Sequence, residues 1–440
     1  MGPKHRQRHG KLSGTLATAI AIAIGIASAV SRGWAAAPEP GDPRAAAPVA
    51  VDALVAEAMR ASPEIAAAES HWQATTRVPI QAATLPDPEI SLQHFTVGSP
   101  QPFSGYESSN FYYTGFGFSQ EIPGPGKLRL RAEQAKKDAE LAGVSVLAAQ
   151  RNVAEKVRDD AFNLFFLTRS RSLLEQTRAE LTSIASATAA QYRTGAAPQQ
   201  DVLKAQLAMT AILKELEMNH DDIEAAEANL KAMLGREQDS RNLEIADIAP
   251  TEFQLGAAEL AAAADRGSPD LQMAQTTLAR SKNALEMARH DYWPDFDVGY
   301  MYQKTGPGFA DYYMLTLGAK IPLYFWRKQT PAVEQAALEK QSAASALRAT
   351  RLATLSDVQA SLVSIRTQTR IIAMYRDGLI PQAEATLRSA RTAYSTGKVD
   401  FQTMLSAVTE VLELREGYLR AIADHEIAVA HVKRIIGENL

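Results

Sequence analysis

Cysteine is absent from all 440 residues. Disulfides, thiolate metal sites, cysteine nucleophiles and acylation of an N-terminal cysteine are excluded together. Beyond residue 36 no stretch approaches 18 consecutive apolar residues, so no helix there can span a bilayer. Basic side chains number 46 against 50 acidic ones, with no downstream Lys/Arg block to line a nucleic-acid groove. Aromatics are sparse at 7%, yet an apolar fraction of 46% excludes a wholly disordered chain.

The start of the chain has its own character. Lys4, Arg6, Arg8 and Lys11 precede an apolar run from Leu16 to Val30, followed by small residues around Gly33 to Ala36. A basic start, an apolar stretch too short to span a membrane and small residues beyond it describe an export signal over residues 1–36. Its removal leaves 41 basic against 50 acidic side chains, a balance of −9.

What remains repeats itself. Ser62-Pro63-Glu64-Ile65 recurs as Ser268-Pro269-Asp270-Leu271, and Leu85-Pro86-Asp87-Pro88 as Trp293-Pro294-Asp295-Phe296. Gln120-Glu121-Ile122-Pro123 recurs as Ala319-Lys320-Ile321-Pro322, Tyr192-Arg193-Thr194-Gly195 as Tyr394-Ser395-Thr396-Gly397, and Leu234-Gly235 as Ile436-Gly437. Offsets of 206, 208, 199, 202 and 202 residues hardly drift, which marks a duplication. The expected division is a Pro-rich lead-in over residues 37–50, repeats over 51–240 and 260–440, and a polar linker over 241–259.

Each half runs in the same order. An Ala-rich helical stretch (Val51 to Thr84; Leu260 to Tyr292) leads through a Pro-marked break into two alternating segments. A long helix follows, from Lys127 to about Tyr192 and from Ala332 to about Tyr394, and then a shorter one, from Asp201 to Leu234 and from Phe401 to Ile436. Val146, Val153, Val157, Leu164, Leu174, Leu181, Ala185, Thr188 and Tyr192 form a coiled-coil-like seam on the first long helix. Sixty-odd helical residues reach ~100 Å, so the shorter helices of each half are expected to stack end to end beside the long one. Pro381 has no counterpart at Ala179, which predicts a kink or break near Asp377 to Pro381 in the second half only.

The alternating segments put Phe296, Val298, Tyr300 and Tyr302 on one face, and likewise Tyr313, Leu315, Leu317, Ala319 and Ile321. Asp297 and Met301 point the other way, as do Gly115 and Gly117 in the first half. Their lengths suit tilted strands crossing a bilayer. Alternation alone leaves open two exposed hairpins packed on a helical body. Four membrane strands leave sheet edges that lipid does not tolerate, so a barrel needs several chains. Three chains would supply twelve strands.

Enzymatic motifs fail on inspection. His425, Glu426 and His431 lack the i, i+4 histidine spacing of a zinc protease and are expected as solvated helix positions. Gly124-Pro125-Gly126-Lys127 lacks the earlier glycine and the Ser/Thr of a phosphate loop. Nothing in the sequence calls for a cofactor, a metal or catalysis.

Taken together, the tandem halves, Tyr-Arg-Thr-Gly before Asp201-Val202-Leu203, Tyr-Ser-Thr-Gly before Phe401 to Leu405, and the Ile122-Pro123-Gly124-Pro125-Gly126-Lys127 corner resemble the TolC-like outer membrane efflux proteins. The resemblance covers about residues 50–440. It implies a mainly α chain with a small membrane β part: long coiled-coil helices forming an α-barrel tunnel, and four strands per chain for a trimeric twelve-stranded β-barrel. It further implies an outer-membrane exit duct, docked through a periplasmic adaptor onto an inner-membrane pump of RND type. The runner-up is a periplasmic coiled-coil scaffold or adaptor without a membrane barrel. The Ile122 corner and the run from Leu379-Ile380-Pro381 to Asp400-Phe401 look more like relatives that serve metal-ion pumps.

The resemblance also assigns residues. Tyr192, Gly195, Tyr394 and Gly397 mark the helix-turn-helix tips that would touch the adaptor. Tyr394 and Asp201 match a pair that holds the tunnel end closed in the family. The basic residue of that lock is replaced by Val399, and the family's two gate aspartates by Thr403 and Ser406. Asp400 remains the nearest acid, either as a helix N-cap or as a ring of charge in a threefold channel.

Overall fold

The computed structural model describes residues 48–97 and 111–437. The expected signal over residues 1–36 and most of the Pro-rich lead-in lie outside them. In the first half α1 (Val51–Ala61), α2 (Pro63–Thr75) and α3 (Val78–Ala83) precede β1 (Glu89–Thr96) and β2 (Tyr112–Ile122), then α4 (Lys127–Arg193) and α5 (Gln199–Met233). The second half repeats the order with α6 (Ala257–Gly267), α7 (Pro269–His290), β3 (Asp295–Thr305), β4 (Tyr312–Lys320), α8 (Gln329–Met374), α9 (Ile380–Ser395) and α10 (Phe401–Ile436).

The single Ala-rich helix expected at the start of each half is in fact broken at Ser-Pro. Ser62 and Ser268 sit at ψ 120° and 122°, the extended conformation that a following proline imposes. Pro63 and Pro269 then open α2 and α7, where a missing N–H costs nothing. These breaks receive the ends of the shorter helices. Gly235, just past α5, lies against Ala61, and Gly267 lies so close to Ile436 that a Cβ would come 2.6 Å from its carbonyl oxygen. The end-to-end stack is therefore real in both halves. Arg151 of α4 ties the second junction to the first half, donating through Nη1 to the carbonyls of Gly267 (2.7 Å), Ile435 (3.2 Å) and Arg434 (3.3 Å).

The seam on α4 is buried at Val146, Val153, Val157, Leu164, Leu174, Leu181 and Thr188. It ends before Tyr192, which is exposed at the helix terminus. Two parts of the sequence reading need correction. Within the polar linker, Leu243 and Ile245 are buried in the same core as Leu54 and Val157. Val49 N–H donates to Glu244 O and Ala246 N–H to Val49 O, so the linker is pinned to the body as a short parallel bridge. His425 and Glu426 are also buried rather than solvated. Glu426 accepts from the Thr251 N–H (2.7 Å) and hydroxyl (2.8 Å) and faces His425 Nδ1 at 2.9 Å. Burial raises the Glu426 carboxyl, but the bonds from His425 and Thr251 outweigh it and hold its pKa below the ordinary value.

Pro381 does interrupt the second long helix. Residues Tyr375–Leu379 form a π turn in which the Ile380 N–H reaches back to Tyr375 O. Proline offers no N–H to the carbonyl four residues earlier, and widening the preceding turn by one residue accommodates that loss. No such turn interrupts α4. Gly417 of α10 faces the site: a Cβ there would lie 2.5 Å from the Tyr375 hydroxyl.

The four strands form one antiparallel sheet in the order β1-β2-β3-β4. Register carries Ile90 to Phe118, Tyr300 and Leu315 in one row across all four strands, and Leu92 to Phe116, Tyr302 and Tyr313 in the next. Every member of both rows is exposed, from 40% for Tyr300 to 70% for Ile90. The opposite face carries small and polar residues, among them Ser91, Gly117, Gly299 and Thr316. Met301 lies on that face but is buried, its side chain filling the space above Gly115 and Gly117.

Candidate functional site

Two places have functional geometry: the sheet with its corners, and the helix-turn-helix tips. At the first tip Gly195 has φ +76°, at the second Gly397 has φ +72°, and a Cβ at either would meet open space. Glycine is there for the left-handed backbone, not for room. Ala196 N–H donates to Gln191 O and Gly195 N–H to Tyr192 O; Lys398 and Gly397 repeat this with Ala393 and Tyr394. Both are Schellman closures.

Behind the tips, α4, α5, α9 and α10 share a core that includes Leu181, Ile212, Leu387, Phe401 and Val408. Tyr394 packs edge-on against the buried Phe401 ring at 5.7 Å. Its hydroxyl donates to Gln191 Oε1 at 3.4 Å, across to the first hairpin. Burial raises its pKa, and the charge of Asp201, in the first turn of α5, raises it further. The two hairpins are thus joined at Tyr394 through its bond to Gln191, whereas Asp201 acts on Tyr394 only by disfavouring the ionised phenol.

Asp400 is an N-cap. Its Oδ1 accepts from Thr403 N–H (2.9 Å) and from Thr403 Oγ1 (2.5 Å), and these bonds hold its carboxyl below the ordinary range. Thr403 is thereby occupied, while Ser406 accepts from Gln402 at 3.4 Å. Sequence reasoning missed what lies above them. Thr403, Ser406, Glu410 and Glu413 step by three, four and three along the exposed side of α10, away from the core that holds Met404, Ala407 and Val411. The three, four, three spacing is the signal in the sequence that marks these positions as one helix face. Among the described residues no cluster of His, Asp and Glu is arranged to hold a metal ion.

At the other end, the glycine-rich corner before α4 is a structural staple. Gly124 N–H (2.7 Å) and Lys127 Nζ (2.8 Å) both bind Asp295 Oδ1 at the start of β3. Gly124 is needed because a Cβ would sit 2.7 Å from Pro294 O.

A family model described as outer membrane efflux protein matches residues 54–236 and 260–438. The chain belongs to the outer membrane efflux protein family. Solved structures of efflux channels share the fold. CusC covers 92% of its own chain and 88% of this one at TM-score 0.76 and 14% identity. VceC from Vibrio cholerae gives 96% and 88% at 0.74 and 16%, and the open-state channel MtrE from Neisseria gonorrhoeae 89% and 89% at 0.73 and 15%. No curated protein matches the sequence. As a member of this family the chain is an outer-membrane efflux channel and not an enzyme, with a sheet for the membrane and a helical tunnel for the periplasm.

Proposed function

We propose that three copies close their sheets edge to edge into a twelve-stranded barrel, with their helices forming one tunnel that conducts passively from a docked pump. The observation that carries this is the sheet itself. Among the described residues β1 and β4 each have one neighbour only, and the rows running between them are apolar and exposed. Lipid does not tolerate unpaired backbone, and identical chains in rotational symmetry supply the missing neighbours. The tips at Tyr192, Gly195, Tyr394 and Gly397 would meet a periplasmic adaptor, and through it an inner-membrane pump of RND type.

Absence of native cysteine makes the test clean. Cysteines placed in pairs along the outer edges of β1 and β4, starting with Ser91→Cys and Thr316→Cys, should crosslink into dimers and trimers and nothing larger. A periplasmic scaffold without a barrel would stay soluble without detergent and uncrosslinked.

Within this reading the tunnel end is closed by the Tyr394 contacts, and cation preference comes from rings of Glu410 and Glu413 above the Asp400 cap. Threefold symmetry turns each lumen-facing acid into three converging charges. The likeness to relatives of metal-ion pumps makes a metal cation the first cargo to test. In planar bilayers under a salt gradient, Glu410→Gln with Glu413→Gln should lose cation preference, most visibly at low ionic strength. If Asp400→Asn alone abolishes it, the ring lies at the tip instead.

A further inference from the structure

The face of the sheet opposite the apolar rows changes character at the end remote from the helices. Near the helices it carries Ser119, Gly299 and Thr316; at the far end come Phe95, Tyr113 and Tyr312. Register gives these three rings the parity of Gly115 and Gly117, opposite to the rows through Tyr300 and Tyr302. Phe95 stacks on Tyr113 with centroids 5.4 Å apart, and Tyr113 stands edge-on to Tyr312 at 6.2 Å. Phe111 lies edge-on to Tyr113 at 6.2 Å and to Phe309 at 5.3 Å, which carries the cluster onto the second hairpin tip. Tyr113 and Tyr312 belong to β2 and β4, which do not pair, so their rings meet above β3. On this face of β3, Gln303 and Thr305 are buried, at 3% and 8% exposure, while Phe95, Phe309 and Tyr312 stay 40% to 50% exposed.

Gln303 is the odd member. Its Nε2 faces Met301 Sδ at 3.3 Å, and among the described residues no donor reaches its Oε1. A buried amide oxygen without a donor is costly to a fold. We propose that the rings and the Gln303 oxygen form a binding subsite for protonated organic amines in the wall of the channel exit, one per chain. The inference rests on the barrel reading, which makes this face the lumen, and it names a cargo class beyond metal cations.

The chemistry selects the ligand. Aromatic faces attract cations and repel anions. The rows running from Ser91 to Met314, from Gln93 to Tyr312 and from Phe95 to Thr305 contain no charged side chain, so the rings set the local sign. An orphan carbonyl needs an N–H, which a protonated amine brings and a quaternary ammonium lacks. A metal ion would find one neutral oxygen, where hard cations take about six. Tyr312 pairs directly with Gln303 and is the more exposed of the two. A change of its rotamer, fast for an exposed side chain, would open the way to the oxygen.

The test uses the full chain as trimers in lipid nanodiscs, with para-fluorobenzylammonium as the probe followed by fluorine NMR. Glu410→Gln with Glu413→Gln in every sample removes the acidic rings as competing sites. The ammonium should bind more tightly than neutral para-fluorobenzyl alcohol and than the trimethylammonium analogue. Phe95→Leu with Tyr312→Leu should weaken it by a factor of ~10 or more, with the trimer intact on native gels. Gln303→Met should erase the preference over the trimethylammonium analogue and also raise the melting temperature of the ligand-free protein. A gain in stability without that loss of preference would mean that Gln303 only packs, and would overturn the subsite. So would alcohol binding as tight as ammonium binding, or ring variants that bind like the parent. The barrel is checked separately with a charged thiol reagent: Met314→Cys on the lumen face should react, and Leu315→Cys on the lipid face should not. Equal reaction at both refutes the barrel reading; reaction at Met314→Cys alone, with no amine bound, refutes the subsite only.

Discussion

Leu315→Arg is the sharpest challenge to the membrane assignment. Leu315 closes the row that begins at Ile90 and runs through Phe118 and Tyr300. It is 59% exposed, so an arginine there meets the surroundings of the sheet and not a packed interior. If those surroundings are hydrocarbon near the midplane, the guanidinium costs about 2–4 kcal/mol per chain. On the trimeric reading all three chains carry it, and the assembly loses roughly 6–12 kcal/mol. Thr316→Arg supplies the control, one residue along on the opposite, small and polar face, where water replaces lipid. Urea unfolding of lipid-reconstituted protein, followed by the loss of compact gel mobility, should show the first variant markedly weakened and the second close to wild type. Equal losses at the two positions would refute the assignment of faces, and with it the barrel.

Two further outcomes follow from the interior. Burial first, then the negative charges of Glu155 and Asp160, push the Asp159 carboxyl up to about 7. The unfolded chain ionises near the ordinary value, so the penalty is complete above pH 7 and relieved as pH falls toward 4. Asp159→Asn should therefore stabilise the protein at pH 8 by about 1–2 kcal/mol, after discounting for its partial exposure, and change little at pH 4. Thermal melts at the two pH values decide it; an equal effect at both would sink the idea. Gly417→Ala drives a methyl into the Tyr375 ring at the π turn and should cost about 1–3 kcal/mol. Tyr375→Ala in the same chain should recover part of that loss, and additive costs in a double-mutant cycle would show that the two residues do not meet.

Punctuation made the architecture legible. Thr-Gly at the tips and Pro-Gly at the first corner are residues whose backbone restrictions act locally, so they mark their positions in any context; Ser-Pro inside each half carries the same restriction, yet the Ala-rich composition around it masked the break. The aromatic alternation of β3 and β4 was equally plain, because a period of two survives wherever one face is apolar. Burial of His425, Glu426, Leu243 and Ile245 was not legible. Each depends on a partner far along the chain, Thr251 for Glu426 and the α1–α4 core for the linker, and no local period announces it. Pro381 announced an interruption, but that it would be a wide turn set against Gly417 depends on which helix packs opposite. Glu410 and Glu413 stood at readable spacing, yet only the burial of Met404, Ala407 and Val411 shows which side of α10 they occupy.

The unpaired edges of β1 and β4 have a genetic consequence. If each chain completes the sheet of the next, no chain is whole alone, and one faulty edge leaves a gap in every ring that it enters. With a normal and an edge-defective copy expressed equally and mixing at random, roughly one ring in eight would contain only normal chains. Defects at these strands should therefore behave as dominant, whereas a chain that never folds should be recessive.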